Sequence, residues 1–115
     1  MLDFDKKNIL VVVAHPDDEI LGLGGTINYL VNSFSCKIKV IILGEGITSR
    51  SNTRNSKNWD SDLNMHKSNV LSAKGKLEYH NLEMYDLPDN RFDEVAILDI
   101  VKIVEKEIAD FEPEI

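Results

Sequence analysis

The sequence predicts an α/β fold, a Rossmann-like doubly wound sheet that is mostly parallel, and three observations carry the prediction. Two short apolar runs rich in β-branched residues, Ile9-Leu10-Val11-Val12-Val13-Ala14 and Ile38-Lys39-Val40-Ile41-Ile42-Leu43, have the composition of buried strands. Segments with apolar residues at helical spacing lie between them and after them. Strands that alternate with helices pair in parallel through right-handed crossovers.

The elements follow in order. A strand is expected over residues 8–14. Ile20, Leu21, Leu23, Ile27, Leu30, Val31 and Phe34 then recur at helical spacing, which predicts a helix over residues 18–32 with one apolar face. The second strand covers residues 38–43, and Gly44-Glu45-Gly46 breaks it. A weaker helix is expected over residues 59–74, with Leu63, His66, Val70 and Leu71 inward and Gly75 as its stop. A third strand spans residues 77–84, and the turn-rich Asp86-Leu87-Pro88-Asp89-Asn90-Arg91 follows. Val95, Ile97, Leu98, Val101, Val104, Ile108 and Phe111 mark a last amphipathic helix that ends before Pro113.

With 115 residues the chain has room for one domain, residues 1–115, and it shows no repeat, linker or low-complexity stretch. The last helix needs a strand to cover its apolar face, yet only Glu114-Ile115 follows it. A three-stranded parallel sheet would leave an apolar edge open. The expectation is therefore a sheet incomplete at the C-terminus, in the amino-terminal part of a longer protein; the alternative is a minimal domain closed by homo-oligomerisation.

Composition narrows the function classes. A net charge of −7 argues against nucleic-acid or anionic-membrane binding through the whole surface. Only residues 47–58 depart from it, with Arg50, Arg54 and Lys57 among Ser, Asn and Thr and no acid. No apolar run approaches the ~20 residues of a membrane span. The N-terminus carries acids where a secretory leader carries bases, and the single Cys36 cannot form an internal disulfide, so a cytoplasmic setting is expected. No His or Asp pattern accompanies Cys36, which reads as packing rather than nucleophile.

The chemistry is concentrated in His15-Pro16-Asp17-Asp18-Glu19, directly after the first strand. In open α/β sheets the residues beyond the carboxyl end of a strand line the ligand crevice. One imidazole and three carboxylates so close together repel and resist desolvation. A divalent cation removes the conflict, and zinc accepts His with Asp. Pro16, with its fixed φ, stiffens the turn. The same acids also suit a helix start, where Asp17 or Asp18 would cap and Glu19 would favour the positive dipole end. Gly22, Gly24 and Gly25 do not complete a dinucleotide fingerprint, because Ile27 stands at the last glycine position; they would let the first helix lie close to the sheet. Glu45, after the second strand, imitates a ribose-binding acid and keeps a nucleotide-binding reading open. His66, within a helix, and His80, in the third strand, are poor third ligands, since in a sheet ordered 3-2-1 the third strand lies two away from His15.

Ala14-His15-Pro16-Asp17-Asp18-Glu19, Leu21-Gly22 and Gly24-Gly25-Thr26 together resemble the opening signature of the PIG-L/LmbE-like deacetylases. Gly44-Glu45-Gly46-Ile47-Thr48-Ser49-Arg50, Arg54 and Leu87-Pro88-Asp89-Asn90-Arg91-Phe92-Asp93 are similar to a bacterial branch of that family, so the resemblance covers nearly the whole chain. It implies a Rossmann-like zinc hydrolase that removes N-acetyl groups from amino sugars on carbohydrate, nucleotide or lipid carriers. It implies that His15 and Asp18 coordinate zinc, or another divalent metal, and that Asp17 is the general base. The family's third ligand is a later His, which is expected past Ile115. One departure is the helix from Trp59, rich in small residues in relatives and here polar with Asn, Lys and Ser.

Glu19 is expected to support the helix start or to orient His15. Arg50, Arg54 and Arg91 have guanidinium forks that suit phosphate or sugar hydroxyls and are candidate substrate-binding residues. The expected partner is thus a small amino-sugar substrate. The 115 residues alone are expected to be inactive or nearly so. The rival from another class is a non-catalytic or degenerate module that binds sugar or nucleotide, favoured if the whole protein lacks a third ligand.

Overall fold

A computed structural model describes residues 3–52 and 54–115. Three strands, β1 (Asn8–Val13), β2 (Lys37–Gly44) and β3 (Asn81–Leu87), form a parallel sheet in the order β1-β2-β3. Between them run the helices α1 (Asp18–Phe34) and α2 (Asp60–Leu77), and α3 (Ile97–Phe111) follows β3. The strand order and the α/β alternation are those the sequence predicts.

The central strand explains why residues 38–43 are almost uniformly apolar. Ile38, Val40, Ile41 and Ile42 are fully buried because β2 has a neighbour on each side and helices over its faces. On one face Ile9, Val11, Ile38, Val40 and Ile42 meet Ile27 and Leu30 of α1, Val70 of α2, Tyr79 and Cys36. The Cys36 thiol is buried in this core. On the other face α3 lays Ile100, Ile103, Val104 and Glu107 toward the sheet. Glu107 is a buried carboxylate paired with Lys39 of β2 and accepting from the Tyr85 hydroxyl of β3. Burial alone would raise its pKa, but the hydrogen bonds from Lys39 and Tyr85 outweigh that and hold the carboxyl below its ordinary value.

Several boundaries and faces differ from the sequence expectation. Gly75 does not stop α2: the helix runs on to Leu77 and ends at Glu78 in the left-handed region. The third strand consequently begins at Asn81. Leu71 and Leu21 point outward, as do Ile97, Leu98, Val101 and Ile108 of α3. α1 and α3 are apolar over a wider arc than the three-stranded sheet covers. Gly22 and Gly25 have open space where a Cβ would stand, and Gly24 faces Leu77 of α2. The glycines therefore set no close approach of α1 to the sheet. The last residues pair with the outer edge of β1, where the Glu114 amide donates to the Asn8 carbonyl (2.8 Å) and the Leu10 amide to that of Ile115 (2.9 Å). Among the described residues no helix is long and apolar enough to cross a membrane.

Candidate active site

The site forms where three chain segments leave the carboxyl ends of the strands. After β1 the chain makes a tight turn: the Asp18 amide donates to the His15 carbonyl (3.3 Å), and Asp18 Oδ2 accepts the His15 amide hydrogen (2.9 Å). This reciprocal pair brings the two side chains together, with His15 Nδ1 3.7 Å from Asp18 Oδ2. Two ligands of a tetrahedral zinc, each about 2.1 Å from it, stand roughly 3.4 Å apart, so the spacing of this pair suits a shared metal.

Asp17 occupies the N-cap position of α1 but makes no side-chain capping bond. Its φ is 104°, a left-handed conformation that a residue with a Cβ adopts at a cost. Glu19 holds it there. The Glu19 side chain is fully buried, and its Oε2 accepts the Asp17 amide hydrogen at 3.1 Å. Burial pushes the Glu19 carboxyl above its ordinary value, helped by the charges of Asp17 and Asp18. Glu19 thus supports the helix start by acting on Asp17 rather than on His15. The Asp17 residue itself is left exposed.

The segment after β2 presses against this turn. A Cβ at Gly44 would lie 2.9 Å from the Ala14 carbonyl oxygen and 2.9 Å from the Phe92 ring; one at Gly46 (φ 76°) would lie 2.6 Å from Pro16 Cδ. Both positions require glycine for the approach, and Gly46 requires it for its backbone as well. Between them Glu45 is buried and gathers the loop around its carboxylate. It accepts from the amides of Ile47 (2.9 Å), Thr48 (3.1 Å) and Asp89 (3.2 Å), from the Thr48 hydroxyl, and from Arg54 Nε (3.5 Å). A carboxylate so occupied by its own loop has no lone pair left for a ribose, which removes the feature that suggested nucleotide binding.

The segment after β3 contributes Asp89, which the sequence reading left without a role. It is buried, accepts from Ser49 Oγ (2.5 Å) and places Oδ1 3.0 Å from His15 Nε2. The two are close enough for charge attraction but are not aligned as a hydrogen bond, so Nε2 is a buried nitrogen without a hydrogen-bond partner among the described residues. A carboxylate behind the far nitrogen of a metal-ligating His is the usual outer support of such a site. The signal was present in the Leu87-Pro88-Asp89-Asn90 stretch, a turn placed beyond a strand end.

The three arginines do different things. Arg91 reaches back to the carbonyls of Ser51 (3.3 Å) and Asn52 (3.1 Å). Arg54 donates to the Asp86 carbonyl (2.7 Å) and pairs with Glu45. Arg50 is exposed and has no side-chain partner among the described residues. His80 is exposed, its Nδ1 accepting the Ile38 amide hydrogen near the opposite end of the sheet (3.3 Å). Among the described residues no three His, Cys, Asp or Glu side chains are gathered as a metal would need.

Known proteins share this sequence and architecture. The family described as PIG-L: GlcNAc-PI de-N-acetylase matches residues 10–115. Over 40 residues the chain is 48% identical to the probable N-acetylglucosaminyl-phosphatidylinositol de-N-acetylase of Schizosaccharomyces pombe, a match covering 35% of this chain and 16% of that protein. Among solved structures, that of GalB, the 4-carboxy-2-hydroxymuconate hydratase from Pseudomonas putida KT2440, superposes with a TM-score of 0.70 at 19% identity. That alignment covers 94% of this chain and 45% of GalB. At this identity the likeness is one of fold. The chain spans less than half the length of these relatives.

Proposed function

The chain belongs to the PIG-L family, and from that premise we propose that it acts in metal-dependent hydrolysis of the N-acetyl group of an amino sugar. The supporting observation is the turn after β1, where His15 and Asp18 are drawn together and Asp17 stands exposed beside them. His15 and Asp18 would hold a divalent metal, zinc by the chemistry of the donors, with Asp89 behind the imidazole. When bound, such an ion polarises an amide carbonyl and lowers the pKa of water toward ~7. Asp17 accepts the proton of the attacking water as its oxygen bonds to the acetyl carbon. It returns that proton to the nitrogen as the C–N bond breaks, leaving acetate and a free amine. Arg50, the one of the three guanidiniums not engaged by the protein's own described groups, would be free to meet a hydroxyl or phosphate on the carrier of the sugar.

The fold by itself does not select this reaction, since a hydratase has it as well. The test is a pair of substitutions in the protein at its native length. Asp17→Asn should lower acetate release from an N-acetylglucosamine substrate by about 10²–10⁴-fold while metal content stays constant. Asp18→Ala should lose the metal. Retained turnover in Asp17→Asn would remove Asp17 from the base role. The non-catalytic reading draws on the two-residue donor set among the described residues. A protein of native length without stoichiometric metal would favour it.

A further inference from the structure

We propose that His66 is a substrate-contacting residue that holds the sugar beside Asp17, an inference that rests on the amino-sugar reading above. One cavity opens beside Asp17, and a second shares His66 with it. The inner one, of about 170 Å³, is lined by Pro16, Asp17, Ile20, His66, Asn69 and Val70. The outer one, of about 230 Å³, has Arg54, Asp60, His66, Lys67 and Asp86 in its wall. His66 is the one residue that lines both. Each chamber alone is smaller than the roughly 300 Å³ at which small-molecule sites begin, and the two on either side of His66 together exceed it.

The lining matches a substituted amino sugar. In the inner chamber Pro16, Ile20 and Val70 offer apolar surface for a methyl group and ring hydrogens. Asp17, Asn69 and His66 offer polar groups for hydroxyls and an amide. The outer chamber adds charges of both signs, from Arg54, Asp60, Lys67 and Asp86, to an apolar wall of Leu63, Met84 and Tyr85, which suits a polar group attached to the sugar. His66 stands where the two meet.

The imidazole is also available. Its Nδ1 is buried and has no hydrogen-bond partner among the described residues. The residue as a whole is half-buried, so Nε2 is the ring nitrogen a ligand reaches. A polar side chain on the inner half of α2 with no protein partner is unusual enough to require a reason. Packing alone would favour an apolar residue there, as at Val70 one turn on. A hydroxyl bound at Nε2 gives a reason for an imidazole rather than an apolar side chain at this place.

The experiment is a titration of the native-length protein, labelled with ¹³C at the histidine rings, with N-acetylglucosamine. The ring signals of His15 and His66 should shift along one saturation curve, while His80, hydrogen-bonded to Ile38 away from both chambers, stays fixed. His66→Ala should weaken that binding about three- to tenfold, the loss of one hydrogen bond. His66→Asn, which keeps a donor and an acceptor, should recover part of it, and both variants should keep the melting temperature of the parent. Where turnover is measured, KM should rise with kcat unchanged. A shift at His15 with none at His66 would overturn this proposal and leave the Asp17 reading standing. No shift at His15 or His66 would overturn both.

Discussion

Replacing Glu45 by Gln tests whether the site is assembled around one buried carboxylate. The substitution preserves shape and removes charge. If the new amide nitrogen takes the place of Oε2, the amides of Ile47 and Thr48 both lose their acceptor; if it takes the place of Oε1, the Asp89 amide, the Thr48 hydroxyl and Arg54 lose theirs. The first choice leaves two buried amides facing a donor; the second leaves one, the Asp89 amide, because the Thr48 hydroxyl can turn to accept and Arg54 is exposed. Each unpaired buried group costs about 1–3 kcal/mol, so the cheaper arrangement should lose about 1–3 kcal/mol, a large part of the ~5–15 kcal/mol that stabilises a domain. Equilibrium unfolding in urea reads it directly, as a lower midpoint at unchanged slope. Amide exchange at Asp89 should quicken in the variant, because Glu45 is what holds that amide. The pH dependence gives an independent reading. Burial would raise the Glu45 pKa, but the bonds from the Thr48 hydroxyl and the amides of Ile47, Thr48 and Asp89 outweigh it and lower it from 4.5. Its contribution is therefore complete above pH 4.5 and is lost as the pH falls through the lower native value. Glu45→Gln should lack that part of the acid limb. A midpoint shift worth less than about 0.5 kcal/mol, the size of an ordinary surface change, would refute the argument.

Other substitutions probe the remaining contacts. Gly46→Ala places a Cβ 2.6 Å from Pro16 Cδ at a φ of 76°. Left-handed strain and the forced movement of a rigid ring together should cost about 2–4 kcal/mol, with a lower melting temperature and moved amide signals at His15 and Asp17. Tyr79→Phe should do the opposite. Its buried hydroxyl has no partner among the described residues, and burial together with the nearby Glu19 charge pushes its pKa up to about 12. Removing that group should stabilise by about 1 kcal/mol, or about 4–8 °C for a domain of this size. A lower melting temperature would show that the hydroxyl has a partner after all.

The architecture was legible because it depends on period and composition. The runs around Val11 and Val40 have no polar face to offer solvent, so parallel pairing under helices was the reading left for them. Helix faces were less legible, because spacing marks a stripe and not how much of it is covered. Leu21, Leu71 and Leu98 continue their stripes and still face outward. The end of α2 was misread because Gly75 is compatible with a helix interior at a modest cost, and the left-handed residue that ends it is Glu78. At the site, the turn from His15 to Asp18 was legible because its residues are contiguous. Asp89 was legible only as part of a turn beyond a strand end, since it meets His15 through the sheet; His66 was not, since it nears that turn only through the packing of α2.

The arginines sharpen where recognition must come from. Three cations in the loops after β2 and β3 suggest an anion site, yet two of them are engaged by the protein's own carbonyls. Arg91 ties the segment after β3 to Ser51 and Asn52, and Arg54 ties the loop after β2 to the Asp86 carbonyl of β3 while offsetting the buried charge of Glu45. Loops must satisfy their backbone groups without a ladder, and a guanidinium can bind two carbonyls at once. A substrate that competed for Arg54 or Arg91 would have to break bonds that fix the site, so its binding energy would be offset by the disorder it caused. Arg50 is free of that conflict, and so are His66 and Asn69 of α2. Under the proposed function, discrimination among sugars would therefore fall to groups that the fold does not already use.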